Sequence, residues 1–520
     1  MKRFLFATIA ILVTTTAVLA QQPKESVKLE DMTFIRQSFV RNFYTSNKVM
    51  SQINMEGTNL FLPNSANIIV EKRGVATTPT LKQQGRALHI TSADATSAAT
   101  LRVGAFHPYL CYEVQFADMD SGDVAGIEFY PNNNIGAIIR TVYSNGKITS
   151  YKIIDGKQTI LAEKQTDKSD KIALRLQYTG VRFHLFRIHE DSRAELLFSI
   201  KNDMRSIESC TTHSFGVYAA PANGGNIILN KAQSLLTCGT GQADPQIVQT
   251  TDGSPLIRDG RLYLCFTSRG FEQIPDSYQG MYSIDLDSYE LRLEGALFFG
   301  KGDGIMYGFL ATKVVYDPNS KEYMVMTTTH GDTHTLAYSS TKADILHGMH
   351  FLECKELDFP HNYTCGTKTG TKFNTEDPDF FYDAKARKWR LAYCALKDKS
   401  YVTYLCESKN WNGPYKQIAE STKNNNTGIR ITTVGGKRYV LSGGSDTTFY
   451  IYDYPSLEYL GTFQQQYANG GFRGWPTIVP VRYGNYERYL WITFDRGAQT
   501  GRYSYGTLYF YLGDKMWKIE

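Results

Sequence analysis

Asp252 and Asp377 each open a stretch of one design: a carboxylate, an apolar run, a turn, and a second run of aromatic and aliphatic residues. Asp244-Pro245, eight residues before Asp252, competes for the first position. A single aspartate at a strand entry reads as a turn former, because its side chain bonds nearby backbone. Two brought together can act as proton donor and proton acceptor toward one substrate. Around them stand other candidates. The polar stretch Thr327 to His334 carries His330 and His334, which can titrate near neutrality or simply hold the local backbone. Arg473-Gly474-Trp475 offers a cation for a hydroxyl or carboxylate and an aromatic face for stacking. Glu407, Glu420 and Asp446 are further carboxylates in the same half. No His/Cys/Asp spacing defines a metal centre, so no metal ligand is assigned.

Carboxylates so far apart in sequence meet only if the fold repeats, and from about residue 240 it does. Five segments entering at 252, 308, 377, 427 and 475 share a polar or glycine entry, an apolar strand, a turn of Asp/Gly/Asn/Lys type and a β-branched or aromatic strand. Their separation of roughly 50–70 residues is near the length of a four-stranded propeller blade. Five repeats predict five blades, whose inner strands converge on one axial funnel. The expected fold is therefore all-β, with a five-bladed β-propeller over residues 241–520.

Residues 21–240 predict a β-sandwich of jelly-roll type. Short strands separated by turns run through Cys111–Phe116, Ala125–Tyr130, Gly136–Tyr143, Lys147–Ile154, Lys171–Tyr178, Val181–Ile188, Ala194–Ile200, His213–Ala219 and Asn226–Lys231. Asn145-Gly146 between two of them is the sequence of a type I′ hairpin turn. Aromatic content of 13%, with 35 Tyr and 28 Phe, favours strands throughout. The first twenty residues read as an export signal: Lys2-Arg3, an apolar run from Phe4 to Val13, and Val18-Leu19-Ala20 before Gln21. No cysteine follows that site to take a lipid, and no later stretch is apolar enough to span a membrane, so a secreted or periplasmic protein is expected. A net charge of +5, not gathered into runs, argues against nucleic acid. Eight cysteines are too few for a disulfide scaffold. Cys394 with Cys406, and Cys354 with Cys365, are the pairs near enough to bridge, with buried free thiols the alternative. Oligomeric state is not legible.

The segments at 252 and 377, together with the Asn412-Gly413-Pro414-Tyr415 turn, resemble the five-bladed propeller enzymes of glycoside hydrolase family 43 and related fructan-cleaving propellers. The resemblance covers residues 244–520, and the sandwich resembles the concanavalin-like domains that accompany such enzymes. It implies a glycan substrate, with an arabinose- or xylose-like target as in many family members. It makes Asp252 the general base and Asp377 the carboxylate that orients the acid. The family's acid, a Glu at the start of the fourth blade, is replaced here by Thr427-Gly428-Ile429, and Glu420 in the preceding segment is the first substitute, ahead of Glu407 and Asp446. Arg473, Trp475, His334 and Asp446 become substrate-binding candidates. A calcium ion at the propeller axis, beside a central histidine, is the one cofactor the resemblance admits. A carbohydrate-binding propeller without catalysis is the second reading. A sialidase-like or lyase propeller is disfavoured by the lack of Ser-x-Asp-x-Gly-x-x-Trp boxes.

Overall fold

The structure, a computed structural model, describes residues 27–42, 44, 46–53, 70–72, 76–271, 273–331, 333–358, 374–397, 399–444, 448–465, 475–496 and 505–519. Residues 1–20, expected to be an export signal, and the candidates Arg473 and Asp446 lie outside these. The chain is all-β, built almost wholly of antiparallel sheets. Among the described residues no helix is long and apolar enough to cross a membrane.

Two sheets are formed by residues between 46 and 237. One orders Ala194–Lys201, Arg182–Ile188, Ile172–Tyr178, Cys111–Asp118, Asn226–Thr237, Ala87–Thr91 and Thr80–Gln84, with Ser46–Ile53 added on Asn226–Thr237. The other centres on Val124–Pro131, His213–Ala220 and Ala99–Ala105. Their inward residues, among them Phe106, Tyr112, Phe129, Tyr178 and Phe215, pack ring against ring. The expected Asn145-Gly146 turn is present, with both residues at positive φ and Ser144 paired to Lys147.

Five further sheets follow. Their first strands are Gly241–Ile247, Leu310–Asp317, Thr375–Asp383, Thr427–Val434 and Thr477–Tyr483. Each of these inner strands touches the next and the last touches the first, which closes a ring. Separate apolar clusters fill the wedges between neighbouring sheets: Val248, Phe299 and Val325 between the first and second, Met326, Phe380 and Tyr393 between the second and third, Phe381, Ile431 and Tyr452 between the third and fourth, and Tyr439, Phe449 and Trp491 between the fourth and fifth. The remaining cluster joins the first and fifth of these sheets to the two sheets of residues 46–237 through Phe266, Tyr278, Phe298, Val479 and Phe510.

Two expectations change. Part of the segment 21–240 joins the later sheets, because Thr33–Val40 pairs antiparallel with Tyr505–Gly513 in the fifth of them, with Gln464–Gln465 parallel on its other side. There Phe34 packs edge-on against Trp491 and Phe463. An uncovered edge would leave backbone donors and acceptors unpaired. The first repeat also starts earlier than residue 252. Its inner strand is Gly241–Ile247, paired with Arg261–Gly270 across a long connection. That connection contains a small turn of its own, Ile257–Arg258 folding back on Arg261–Leu262, and this turn imitated the repeat in the sequence.

Four inner strands carry the same irregularity. The ladder skips between Ala243 and Gln246, Leu310 and Lys313, Glu376 and Asp379, and Thr427 and Arg430. At each bulge one residue turns left-handed: Asp244 (φ 56°), Ala311 (φ 49°), Asp377 (φ 63°) and Gly428 (φ 65°). A bulge re-aims the side chains beside it. Here it turns the residue two positions on, namely Gln246, Lys313, Asp379 and Arg430, into the buried centre of the ring, where Thr477 joins from the fifth strand.

Candidate active site

That centre is a closed polar circuit. Lys313 Nζ lies 2.9 Å from Asp379 Oδ1, and the Ile431 amide donates to Asp379 Oδ2 at 2.8 Å. Arg430 Nε donates to Thr477 Oγ1 at 3.0 Å, Thr477 Oγ1 donates to the Pro245 carbonyl at 2.6 Å, and Gln246 Nε2 donates to the Pro378 carbonyl at 3.0 Å. All five strands are tied. Burial lowers the Lys313 ammonium to about 8 against the pull of Asp379, and lowers Arg430 to about 10. These residues do not fit the calcium expected at the axis. Calcium takes six to eight oxygens, whereas this position holds one carboxylate against an ammonium and a guanidinium.

The two bulge aspartates flank this circuit, and both are buried. Asp244 is held by Arg269, whose Nη2 donates to Oδ2 at 2.9 Å. Asp377 accepts the Gly428 amide at 2.7 Å and the Cys394 thiol at 3.6 Å through Oδ2, while its own amide donates to Thr328 Oγ1 at 3.1 Å. Burial raises the Asp377 carboxyl, the negative charges of Glu376 and Asp244 add to it, and the Gly428 amide and Arg430 only partly offset them, leaving it at about 7. Left-handed non-glycine residues carry strain that proteins concentrate at functional sites.

Glu376, beside Asp377, accepts His334 Nε2 at 3.1 Å. Burial by itself would lower the His334 imidazole, but the bond to Glu376 and the charge of Asp377 outweigh it and the net shift is upward. Tyr401 donates to Asn374 Oδ1 at 2.6 Å, and burial next to Glu376 pushes its hydroxyl well up. Glu376, Asp377 and Cys394 bring possible ligand atoms within 4.8 Å of one another. They are already engaged among themselves and with His334, since the thiol also donates to the Glu376 carbonyl at 3.5 Å. Of the two alternatives for Cys394 and Cys406, the structure has buried free thiols, whose ladder partners are Thr403 and Leu391. Cys354 is free too, and Cys365 lies outside the described residues.

The structure thus brings together Asp377 and His334 from the sequence-derived set, with Asp244, the rival, in place of Asp252. Asp252 sits in a turn, where Thr250 Oγ1 and the Ser254 amide donate to its Oδ1 at 2.7 and 3.0 Å. Burial raises its carboxyl, but these bonds outweigh it and hold it low. It lines a cavity of about 730 Å³ with Ile247, Phe381, Asp383, Arg438 and Arg482. Its neighbour Gly253 packs on Phe381, four residues along the strand from Asp377, or roughly 13 Å at strand rise. Asp252 belongs to the opposite end of the ring.

Glu420 is likewise displaced. It lies on Lys416–Asn424, the outermost strand of the third sheet, paired with Lys397 Nζ at 2.5 Å. Glu407 is bound to Arg390 at 2.7 Å. Trp475 is 5% exposed, donates Nε1 to the Pro245 carbonyl at 2.9 Å, and has the Arg430 guanidinium 4.6 Å over its ring. It is a strut between first and fifth strands rather than an open face. The same ring explains Thr427-Gly428, because a Cβ on Gly428 would meet it at 2.8 Å. A larger residue such as the family's Glu has no room there. Trp475→Ala is accordingly expected to cost about 3–5 kcal/mol of stability, measured by denaturant unfolding. Unchanged stability with lost sugar binding would return Trp475 to the role of stacking platform.

Sequence reasoning missed Arg269, Glu376, Arg430 and Lys313, and named Cys394 only as a disulfide candidate. The usable signal was the recurring Asp-Pro at 244 and 377, which sets the first and third repeats in register when aligned on it.

No family model matches the sequence, and no curated protein does. Among solved structures the chain is similar to a carbohydrate-binding module, CBM66, from Bacillus subtilis, at 14% identity over 30% of this chain and 92% of that one, with a TM-score of 0.24. It is similar to Bacillus subtilis levansucrase at 10% identity over 54% of this chain and 86% of the other, TM-score 0.39. An exo-beta-1,3-galactanase from Clostridium thermocellum aligns at 13% identity over 52% of this chain and 59% of that one, TM-score 0.37.

Proposed function

We propose that the chain is a glycoside hydrolase: a β-sandwich joined to a five-bladed β-propeller, exported by its first twenty residues, acting on a poly- or oligosaccharide. The observation that carries this is the pair of buried aspartates, Asp244 and Asp377, held in the same left-handed bulge conformation on the first and third inner strands but in unlike surroundings. Arg269 Nη2 donates to Asp244 Oδ2 at 2.9 Å, while burial beside Glu376 and Asp244 raises Asp377 to about 7. Two carboxyl groups so placed supply the acid and the base of glycoside cleavage. Asp377 gives its proton to the leaving oxygen as the anomeric C–O bond breaks. Asp244 takes a proton from the attacking water, or attacks the anomeric carbon itself. With a protonated carboxyl at the third strand, the chain needs no Glu at the fourth. Glu376 and His334 serve as a hydrogen-bonding rim for sugar hydroxyls.

A second reading, sugar binding without cleavage, is favoured by Thr427-Gly428 in place of the family's acid. A screen of released sugars over neutral and charged glycans, run beside a binding titration, separates the two. Turnover by the parent is expected, with a loss of about 10²–10⁴-fold in Asp244→Asn and an unaltered rate in Glu420→Gln. Binding without turnover at any pH leaves the second reading. Full activity in Asp244→Asn moves the base elsewhere.

A further inference from the structure

A cleft of about 360 Å³ opens between the sandwich and the second sheet, lined by Tyr109 and Arg205 on one side and Lys301, Tyr307, Phe309 and His330 on the other. We propose that this cleft is a subsite for an anionic sugar unit, one carrying a carboxylate or a sulfate, on the glycan that reaches the Asp244–Asp377 pair. The proposal rests on the glycosidase reading for the nature of the chain bound. Its other grounds are local.

The lining holds two cations, Arg205 and Lys301, and His330, whose imidazole burial lowers to about 4; among the described residues it has no acidic side chain. Asp203 grips Arg205 from outside through Nε and Nη2, at 2.9 and 2.7 Å, which orients the guanidinium. Asp303 takes the Tyr307 hydroxyl at 2.6 Å, and Glu353 takes the Gly302 amide at 3.0 Å; both border the cleft without lining it. Lys301 Nζ stands 4.5 Å over the Tyr307 ring and Arg205 5.5 Å from it, so the cations gather round one aromatic face. Tyr307 in turn stacks on Phe309. Apolar ring faces suit the carbon face of a pyranose, and fixed cations suit an anionic substituent. The volume lies at the small end of ligand pockets.

The cleft is built rather than incidental, because backbone laces its two walls. Met306 donates to the Arg205 carbonyl at 2.8 Å, Ile207 donates to the Gly304 carbonyl at 2.9 Å, and Ser206 bridges Ile305. Tyr109 donates its hydroxyl to the Met306 carbonyl at 3.2 Å. It also adjoins the aspartate pair. One short loop, pinned by Thr329 donating to the Thr335 carbonyl at 2.8 Å, carries His330 into the cleft and His334 to Glu376. His330 lies within electrostatic reach of Arg269, the partner of Asp244.

The test is calorimetric titration of the full chain with three disaccharides of one backbone: a uronic acid, its neutral counterpart and a sulfated counterpart. The parent is expected to bind an anionic form at least tenfold more tightly than the neutral one, and the better of the two identifies the substituent. Lys301→Met is expected to remove roughly tenfold of that preference, and Lys301→Glu to abolish it, with neutral binding unaltered in both. Asp377→Asn retains the preference, since binding needs no proton transfer. Equal affinity for charged and neutral forms, or a preference intact in Lys301→Met, overturns the subsite while neutral-glycan turnover still supports the glycosidase. Failure of every glycan to bind or turn over overturns both.

Discussion

Asp377→Asn is expected to reduce turnover by about 10²–10⁴-fold while leaving the far-ultraviolet circular dichroism unaltered, and the parent's kcat/KM is expected to fall as pH rises through about 7. The magnitude is that of losing a general acid, since the carboxyl and the amide are both uncharged in the active form. The pH direction follows from burial among Glu376 and Asp244, which favours the protonated carboxyl and raises it to about 7. Below that value Asp377 holds the proton that the leaving oxygen requires, and above it the proton is gone. The same shift acts on stability. The unfolded chain releases this proton near the ordinary value of 3.8 and the folded chain near 7, so the folded state binds the extra proton between those values. Stability contributed by Asp377 is full below about 4, declines as pH rises to 7, and is level beyond. Asn cannot ionise, so the variant lacks that decline, and its melting temperature relative to the parent should rise between pH 5 and pH 8. Parent activity that climbs through pH 7 would instead make Asp377 the base. A flat difference in melting temperature would deny the raised carboxyl.

Much of the fold was legible because strands at close spacing leave a period-two pattern with turn residues between them. Lys147–Ile154 and its Asn145-Gly146 turn were readable to the residue, since positive φ at both turn positions demands those side chains. Repeats entering near 308, 377, 427 and 475 coincide with inner strands beginning at Leu310, Thr375, Thr427 and Thr477. What the sequence hid is long-range. Thr33–Val40 reveals its own alternation but nothing of a partner more than 460 residues away at Tyr505–Gly513. The candidate site was half legible for a related reason. Asp377 and His334 were found, but Asp252 was preferred to Asp244 because turn spacing was weighed above the Asp-Pro step. The bulge that turns Asp244 left-handed leaves no pattern in a single strand. Nothing in the local sequence marks Lys313 and Arg430 as buried. Only ring closure, which buries both completely, gives them a structural task.

Lys313→Met is expected to destabilise the chain by about 3–5 kcal/mol, the cost of leaving a buried carboxylate without its partner. Lys313 is fully buried, and methionine matches its length, so little packing is lost in the exchange. What remains is Asp379, whose Oδ1 loses the ammonium at 2.9 Å while Oδ2 keeps the Ile431 amide. Arg430, the other cation at the centre, is committed to Thr477. The double variant Lys313→Met with Asp379→Leu removes both charges and should recover most of the loss, because replacing a buried ion pair by apolar groups is often neutral or better. The recovery will be incomplete, since the Ile431 amide then lacks its acceptor. Denaturant unfolding of the parent, both single variants and the double variant closes the cycle and yields the coupling energy. A loss below about 1 kcal/mol in Lys313→Met would mean that water or another group reaches Asp379, and the central circuit would then be open rather than sealed.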